Sequence, residues 1–187
     1  MPPESRKKSN RDRLKTMDVS VRLASNSTEI DQARGLCREW LEWHWTHYPA
    51  DWPKEGNPMD PERFEATLEN LPSLHARPNG AILVAYLKAS PVGCVMYNEA
   101  SPGVAQFNRM FVSEKGRGHG IGRRLLEQMF EQMIQDGYQR VQFSSAKFLT
   151  HAKSMYEAAG FQSVPAPENF PSEWKPYVYF MERPLIP

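Results

Sequence analysis

The chain has 187 residues, 40% of them hydrophobic and 24% charged, and a formal net charge of +1, the balance of an ordinary globular protein. No apolar run approaches the ~20 residues of a membrane span, and no secretory h-region follows the N-terminus. The two cysteines, Cys37 and Cys94, read as buried free thiols of a reducing, cytoplasmic compartment, and neither has a histidine cluster at metal-ligand spacing, so no metal is expected.

Residues 1–16 carry six bases against two acids, about +4, which leaves the remainder near −3. Residues 1–17 therefore read as a basic, flexible, solvated tail ahead of one domain over residues 18–187. Nucleic-acid binding through this tail is the weaker alternative, because its few bases lack interleaved aromatic residues.

Val19 to Ala24 alternates like a strand. Ser27 or Thr28 offers the N-cap of a helix that runs to about Trp45, with Ile30, Ala33, Cys37, Leu41 and Trp45 at helical spacing. Pro49 and Pro53 break the pattern. Asp60-Pro61 opens a second helix that ends near Leu71-Pro72. Ala81 to Lys88 is a strand, Ser90-Pro91 a turn, and Val92 to Asn98 the antiparallel return. Val104 to Val112 is the next strand after the turn at Ser101-Pro102-Gly103.

A glycine-rich turn follows, with glycines at 116, 118, 120 and 122. It leads into a helix to about Asp136, whose apolar stripe includes Ile121, Leu125, Met129 and Met133. Gly137 serves as the C-cap glycine. Arg140 to Ser145 is a strand, His151 to Ala159 a short helix, and Tyr177 to Glu182 the last strand.

The glycines thus lie between a strand and a helix N-terminus. Unpaired first-turn N–H groups and the positive end of the helix dipole make an anion site there, most naturally for phosphate. The dinucleotide fingerprint G-x-G-x-x-G fails, because Ile121 or Arg123 would occupy its third glycine position. A P-loop fails because no Gly-Lys-Ser/Thr is present. What remains is Arg117-x-x-Gly120-x-Gly122. This closely resembles the pyrophosphate-binding motif of the GNAT N-acetyltransferase superfamily, (Arg/Gln)-x-x-Gly-x-(Gly/Ala).

A second match supports the first. Ala152 to Phe161 resembles the family's A-x-x-(hydrophobic)-Tyr-x-x-x-Gly-Phe element. The element order also resembles the GNAT fold from Val19 to Leu185. The run Ala33 to Trp40, with Phe111-Val112, is further similar to a group of small bacterial GNAT enzymes of mostly unassigned substrate. The resemblance implies an α/β (α+β) fold, with a mixed, mostly antiparallel central sheet of about six to seven strands flanked by helices.

It also implies a transferase that uses acetyl-CoA, with a primary amine attacking the thioester directly. The pyrophosphate falls to backbone amides of Arg117, Gly118, His119, Gly120, Ile121, Gly122 and Arg123. The pantetheine arm falls to the main chain of Met110, Phe111 and Val112, opposite Ser144 and Ser145, in the manner of an added strand. The Val112 N–H would face the thioester carbonyl.

Tyr156 stands where the family protonates the leaving thiolate. The alternative is that it only packs against the cofactor arm, its hydroxyl bonded to the sulfur. Gln106 occupies the position where many members carry a glutamate base, and it cannot accept a proton. Glu99, His44, His47, a water chain or an acceptor of lower pKa are the replacements. Leu149 stands where many members have asparagine.

Trp43, Tyr48, Tyr177 and Tyr179 belong to aromatic stretches that flank the family's acceptor groove. They suit an apolar, aromatic or cationic acceptor, a small-molecule or peptide amine. Neither nucleic acid nor membrane is expected as a partner, and the chain is expected as a monomer or homodimer. The rival function is a GNAT-like module that binds acyl-coenzyme A without turnover.

Overall fold

A computed structural model describes residues 19–186. The expected basic tail, residues 1–17, lies outside the described residues. Seven strands form one sheet in the order β1-β2-β3-β4-β5-β7-β6. They are β1 Val19–Leu23, β2 Ala81–Leu87, β3 Ser90–Ser101, β4 Val104–Val112, β5 Arg140–Ala146, β6 Gln162–Val164 and β7 Val178–Pro184. Every neighbouring pair is antiparallel except β4 and β5. The helices are α1 Ser27–His47, α2 Pro61–Glu69, α3 Leu71–Leu74, α4 Ile121–Gln135 and α5 Thr150–Ala158. Among the described residues no helix is long and apolar enough to cross a membrane.

Both faces of the sheet are covered, which is why β2 reads as a continuous apolar run. Leu83, Val95 and Tyr97 meet Leu125, Met129 and Met133 of α4 on one face. Ile82, Val84, Cys94 and Met96 meet Leu36, Cys37, Phe64 and Leu68 of α1 and α2 on the other. Cys37 and Cys94 are buried free thiols.

Four local expectations need correction. The α1 cap is Asn26, one residue before Ser27, and its side chain accepts from Glu29 N at 3.0 Å. Glu29 reaches back to Ser25 N at 2.8 Å, so the cap satisfies one orphan first-turn donor and the return bond holds the residue before the cap. The second helix stops at Glu69, and Pro72 falls in the separate turn α3; its ring would collide with the carbonyl of Leu68 in a continuous helix.

The β2–β3 turn lies at Lys88–Ala89, not Ser90-Pro91, with φ of 50° and 67°. That is the mirror-image hairpin turn, built here without glycine and therefore silent in the sequence. Finally, β6 was not expected. Its three residues pair only with β7 at the sheet edge, too short a run for any periodicity to show.

Candidate functional site

The site begins where β4 and β5 part. Their parallel pairing spans only Val104↔Arg140, Ala105↔Val141 and Gln106↔Gln142. Beyond that, β4 stays with β3 and β5 with β7, so the two strands diverge. Phe107 and Phe143 fill the fork with ring centroids 4.3 Å apart. On the β4 side a bulge between Cys94 and Met96 shifts the register, and Arg109 absorbs it with φ 51°.

The main chain of β4 presents donors to this gap. Ser113 N–H donates to Val92 O at 2.8 Å on the β3 side. Backbone groups alternate sides along a strand, so the Val112 N–H faces away from β3, into the gap.

The glycine turn then aims a helix end at the same gap. Gly118 and Gly120 have φ of 76° and 70°, left-handed values that favour glycine. Gly120 is the N-cap of α4 and offers no side chain to the first-turn N–H groups, which stay available to an anion. Gly122 allows close approach: a Cβ there would meet Met155 Sδ at 3.1 Å. Gly116 serves packing, since a Cβ would meet Val92 Cβ and O and Val112 Cγ1, each at 3.0 Å.

These elements border a cleft of about 1100 Å³. Of the residues expected at the cofactor, Met110, Phe111, Val112, Arg117, Gly118, Gly120, Ile121, Gly122, Arg123, Ser145 and Tyr156 line it. His119 does not line it, and its Nδ1 lies 2.9 Å from Arg117 O. The arrangement fits a pyrophosphate on uncapped amides with an extended arm along β4.

Tyr156, on α5, is buried against Phe143 at 4.4 Å and Phe107 at 5.5 Å. Burial, helped by nearby Tyr179, raises its pKa. The phenol therefore stays protonated across the working range.

Aromatic side chains wall the other half of the cleft. Trp43 and Tyr48 of the α1 end and Tyr177 line it, as expected, whereas Tyr179 does not. Phe148, from the β5–α5 connection, joins them: it lies 5.2 Å from His44, 5.8 Å from Tyr48 and 5.5 Å from Trp52. Trp52 also lies 4.8 Å from Tyr177. Tyr48 Oη donates to Pro53 O at 2.6 Å, and Trp45 Nε1 donates to Met59 O at 2.9 Å. The loop after α1 is thereby tied to the wall.

His44 lies within this wall, and burial holds its pKa down at about 4. Neither ring nitrogen has a hydrogen-bond partner. Of the replacement bases, only His44 lines the cleft; His47 and Glu99 do not, and neither does Gln106 itself. Gln106 sits behind the fork, where β4 and β5 still pair. Among the described residues no Asp or Glu lines the cleft.

Arg109 does line it, and the sequence reading missed it together with Phe148. An arginine inside an apolar strand was the available signal for the first. Nothing local marks Phe148.

An acetyltransferase (GNAT) family profile matches residues 37–161. The chain is 31% identical over 111 residues to an IAA acetyltransferase of Azospirillum brasilense, covering 59% of this chain and 71% of that protein. A GNAT-family acetyltransferase structure from Staphylococcus aureus superposes with a TM-score of 0.68 at 16% identity, over 89% of this chain and 99% of that one. A GCN5-related N-acetyltransferase from Kribbella flavida gives 0.65 at 24%, over 90% and 99%. At these identities the structures show the fold. The profile spans the β4 strand, the glycine turn and the Tyr156 helix together, and with it the chain belongs to the acetyltransferase (GNAT) family.

Proposed function

We propose that the protein transfers the acetyl group of acetyl-coenzyme A to a primary amine with an apolar or aromatic body, by direct attack of the amine in its neutral form. The observation that carries this reading is the convergence of the Val112 N–H and the uncapped α4 N-terminus on the gap that Tyr156 borders. When bound, acetyl-coenzyme A supplies an activated acetyl thioester.

The chain's own groups do the rest. Backbone amides from Arg117 to Arg123 hold the pyrophosphate. Main-chain groups of Met110 and Val112 align the arm, and the Val112 N–H stabilises charge that grows on the carbonyl oxygen. The Tyr156 hydroxyl holds a proton for the departing sulfur, and the proton that the attacking nitrogen sheds as the amide forms restores the phenol.

The amine's proton is the remaining problem. His44 and His151 are the histidines that line the cleft, and burial holds His44 at about 4. Moving a proton to it from an ammonium near 10 is uphill by about 8 kcal/mol. His44 is therefore not the base, and the amine reaches the thioester having already lost its proton to water.

The test has two steps. Calorimetric titration should show micromolar binding of acetyl-coenzyme A and coenzyme A but none of NADH. With an amine panel followed by thiol release, kcat/KM should climb tenfold per pH unit up to each amine's own pKa. Two amines of different pKa should give correspondingly displaced profiles. A shared limb near pH 6–7 would reveal an enzymic base and overturn the neutral-amine step. Coenzyme binding without turnover of any amine would favour the binding-module reading, which the absence of a cleft carboxylate keeps open.

A further inference from the structure

Among the described residues, four buried side-chain atoms lack a hydrogen-bond partner: both ring nitrogens of His44, Nε of Arg109 and the hydroxyl of Tyr179. Three of the four belong to residues that line the cleft. Buried polar groups are nearly always paired, so these orphans single out residues around the cleft as ones that lack an internal partner.

Arg109 carries the argument furthest. Its Nη1 lies 3.2 Å from His75 Nε2. His75 Nδ1 lies 2.9 Å from the Tyr97 carbonyl, so the proton belongs on Nδ1 and Nε2 accepts from Arg109. Burial keeps His75 neutral, with a pKa of about 4. The other titratable neighbours that act on Arg109 are the thiols of Cys37 and Cys94.

No carboxylate among the described residues forms an ion pair with Arg109; the ion pairs all lie elsewhere. One nitrogen of the guanidinium is thus engaged by a neutral acceptor, Nε is buried and unpaired, and the half-buried side chain borders the cleft. A charge so placed is unfavourable unless something compensates it. The planar fork of arginine matches a carboxylate.

We propose that Arg109 binds a carboxylate of the acceptor, which makes the substrate a short amino carboxylate with an apolar or aromatic body. Arg109 and Val112 stand three residues apart on one strand, their Cα atoms at most about 10 Å apart. The cleft's lack of Asp and Glu agrees with an anionic rather than a polycationic acceptor. This inference rests on the acetyl-transfer reading above for its activity arm only.

The experiment compares matched compounds with and without the carboxylate: phenylalanine against 2-phenylethylamine, tryptophan against tryptamine, 4-aminobutyrate against propylamine. Each is assayed by thiol release and by calorimetric titration into the coenzyme A-loaded full-length protein. In at least one pair the acid should have a KM and Kd about ten- to hundredfold below its partner. Arg109→Met should erase that difference, and Arg109→Lys, which keeps the charge but loses the fork, should reduce it. In both variants coenzyme A should bind as in the wild type, which also certifies the fold.

Acids no better than their partners, or a preference that survives Arg109→Met, would overturn the subsite while leaving acetyl transfer standing. If no compound is turned over, the acetyl-transfer reading falls, and the titrations still decide the subsite. Arg109-dependent binding of an acid upholds it, and its absence overturns it.

Discussion

Tyr156 meets two demands with one side chain. Its ring fills the fork between Phe107 and Phe143, and its hydroxyl belongs to a residue on the cleft wall. Removing only the hydroxyl separates the two. Tyr156→Phe keeps the ring contacts, so thermal stability should hold within about 1 kcal/mol, and the KM for acetyl-coenzyme A should stay within a few-fold. The turnover number should fall about a hundredfold if the phenol supplies the proton; an unchanged kcat would leave it a packing residue. This position was legible because its motif is local: an alanine four residues before it and Gly160-Phe161 after it, all on one short helix and its cap. Arg109 and His44 were not legible as a pair. They come from β4 and α1, and they border one cavity only once both elements are folded onto the sheet.

At the scale of the element, the strand–turn–helix unit from Val104 to Gln135 divides its glycines between folding and binding. Gly116 has no room for a methyl group, and the obstruction includes the backbone oxygen of Val92. Gly116→Ala should therefore destabilise the protein by about 1–3 kcal/mol, read as a lower melting temperature with coenzyme affinity nearly unchanged in the folded protein. Gly122 faces the flexible end of Met155, which can move. Gly122→Glu should leave the melting temperature within a few degrees but weaken coenzyme A binding about a hundredfold or more, because it sets a carboxylate beside the amides of an anion site. Equal coenzyme affinity in Gly122→Glu and the wild type would remove the phosphate from this turn. The unit was readable from sequence because strand, glycines and helical stripe follow one another without interruption. The Lys88–Ala89 turn and β6 were not, for opposite reasons: one uses positive φ without glycine, and the other is held by its neighbour rather than by its own pattern.

Across the whole molecule, two buried histidines tie stability to pH. His44 and His75 come from separate helical regions, and burial is the leading reason that each is held at about 4. In the unfolded chain both return to an ordinary value of about 6.5. Between those values the unfolded state binds more protons than the native one, so stability rises with pH through this window. It is fully present above about 6.5 and is lost progressively as pH falls towards 4. Each ring contributes on the order of 3 kcal/mol over the whole window and about 2 kcal/mol between pH 6.5 and 5. Against a total of about 5–15 kcal/mol for a folded domain, two such rings matter. The melting temperature should be flat from pH 8 to 7 and then drop by about 10 °C at pH 5. His44→Phe keeps an aromatic ring in the wall and removes two orphan nitrogens. It should remove about half of that drop and raise stability at pH 5 more than at pH 8. A drop that persists in full in this variant would place the pH sensitivity outside the acceptor wall. A melting temperature independent of pH in the wild type would mean that both rings take up protons in the native state without penalty. Water would then reach both rings, and the burial that holds their pKa values down would be lost.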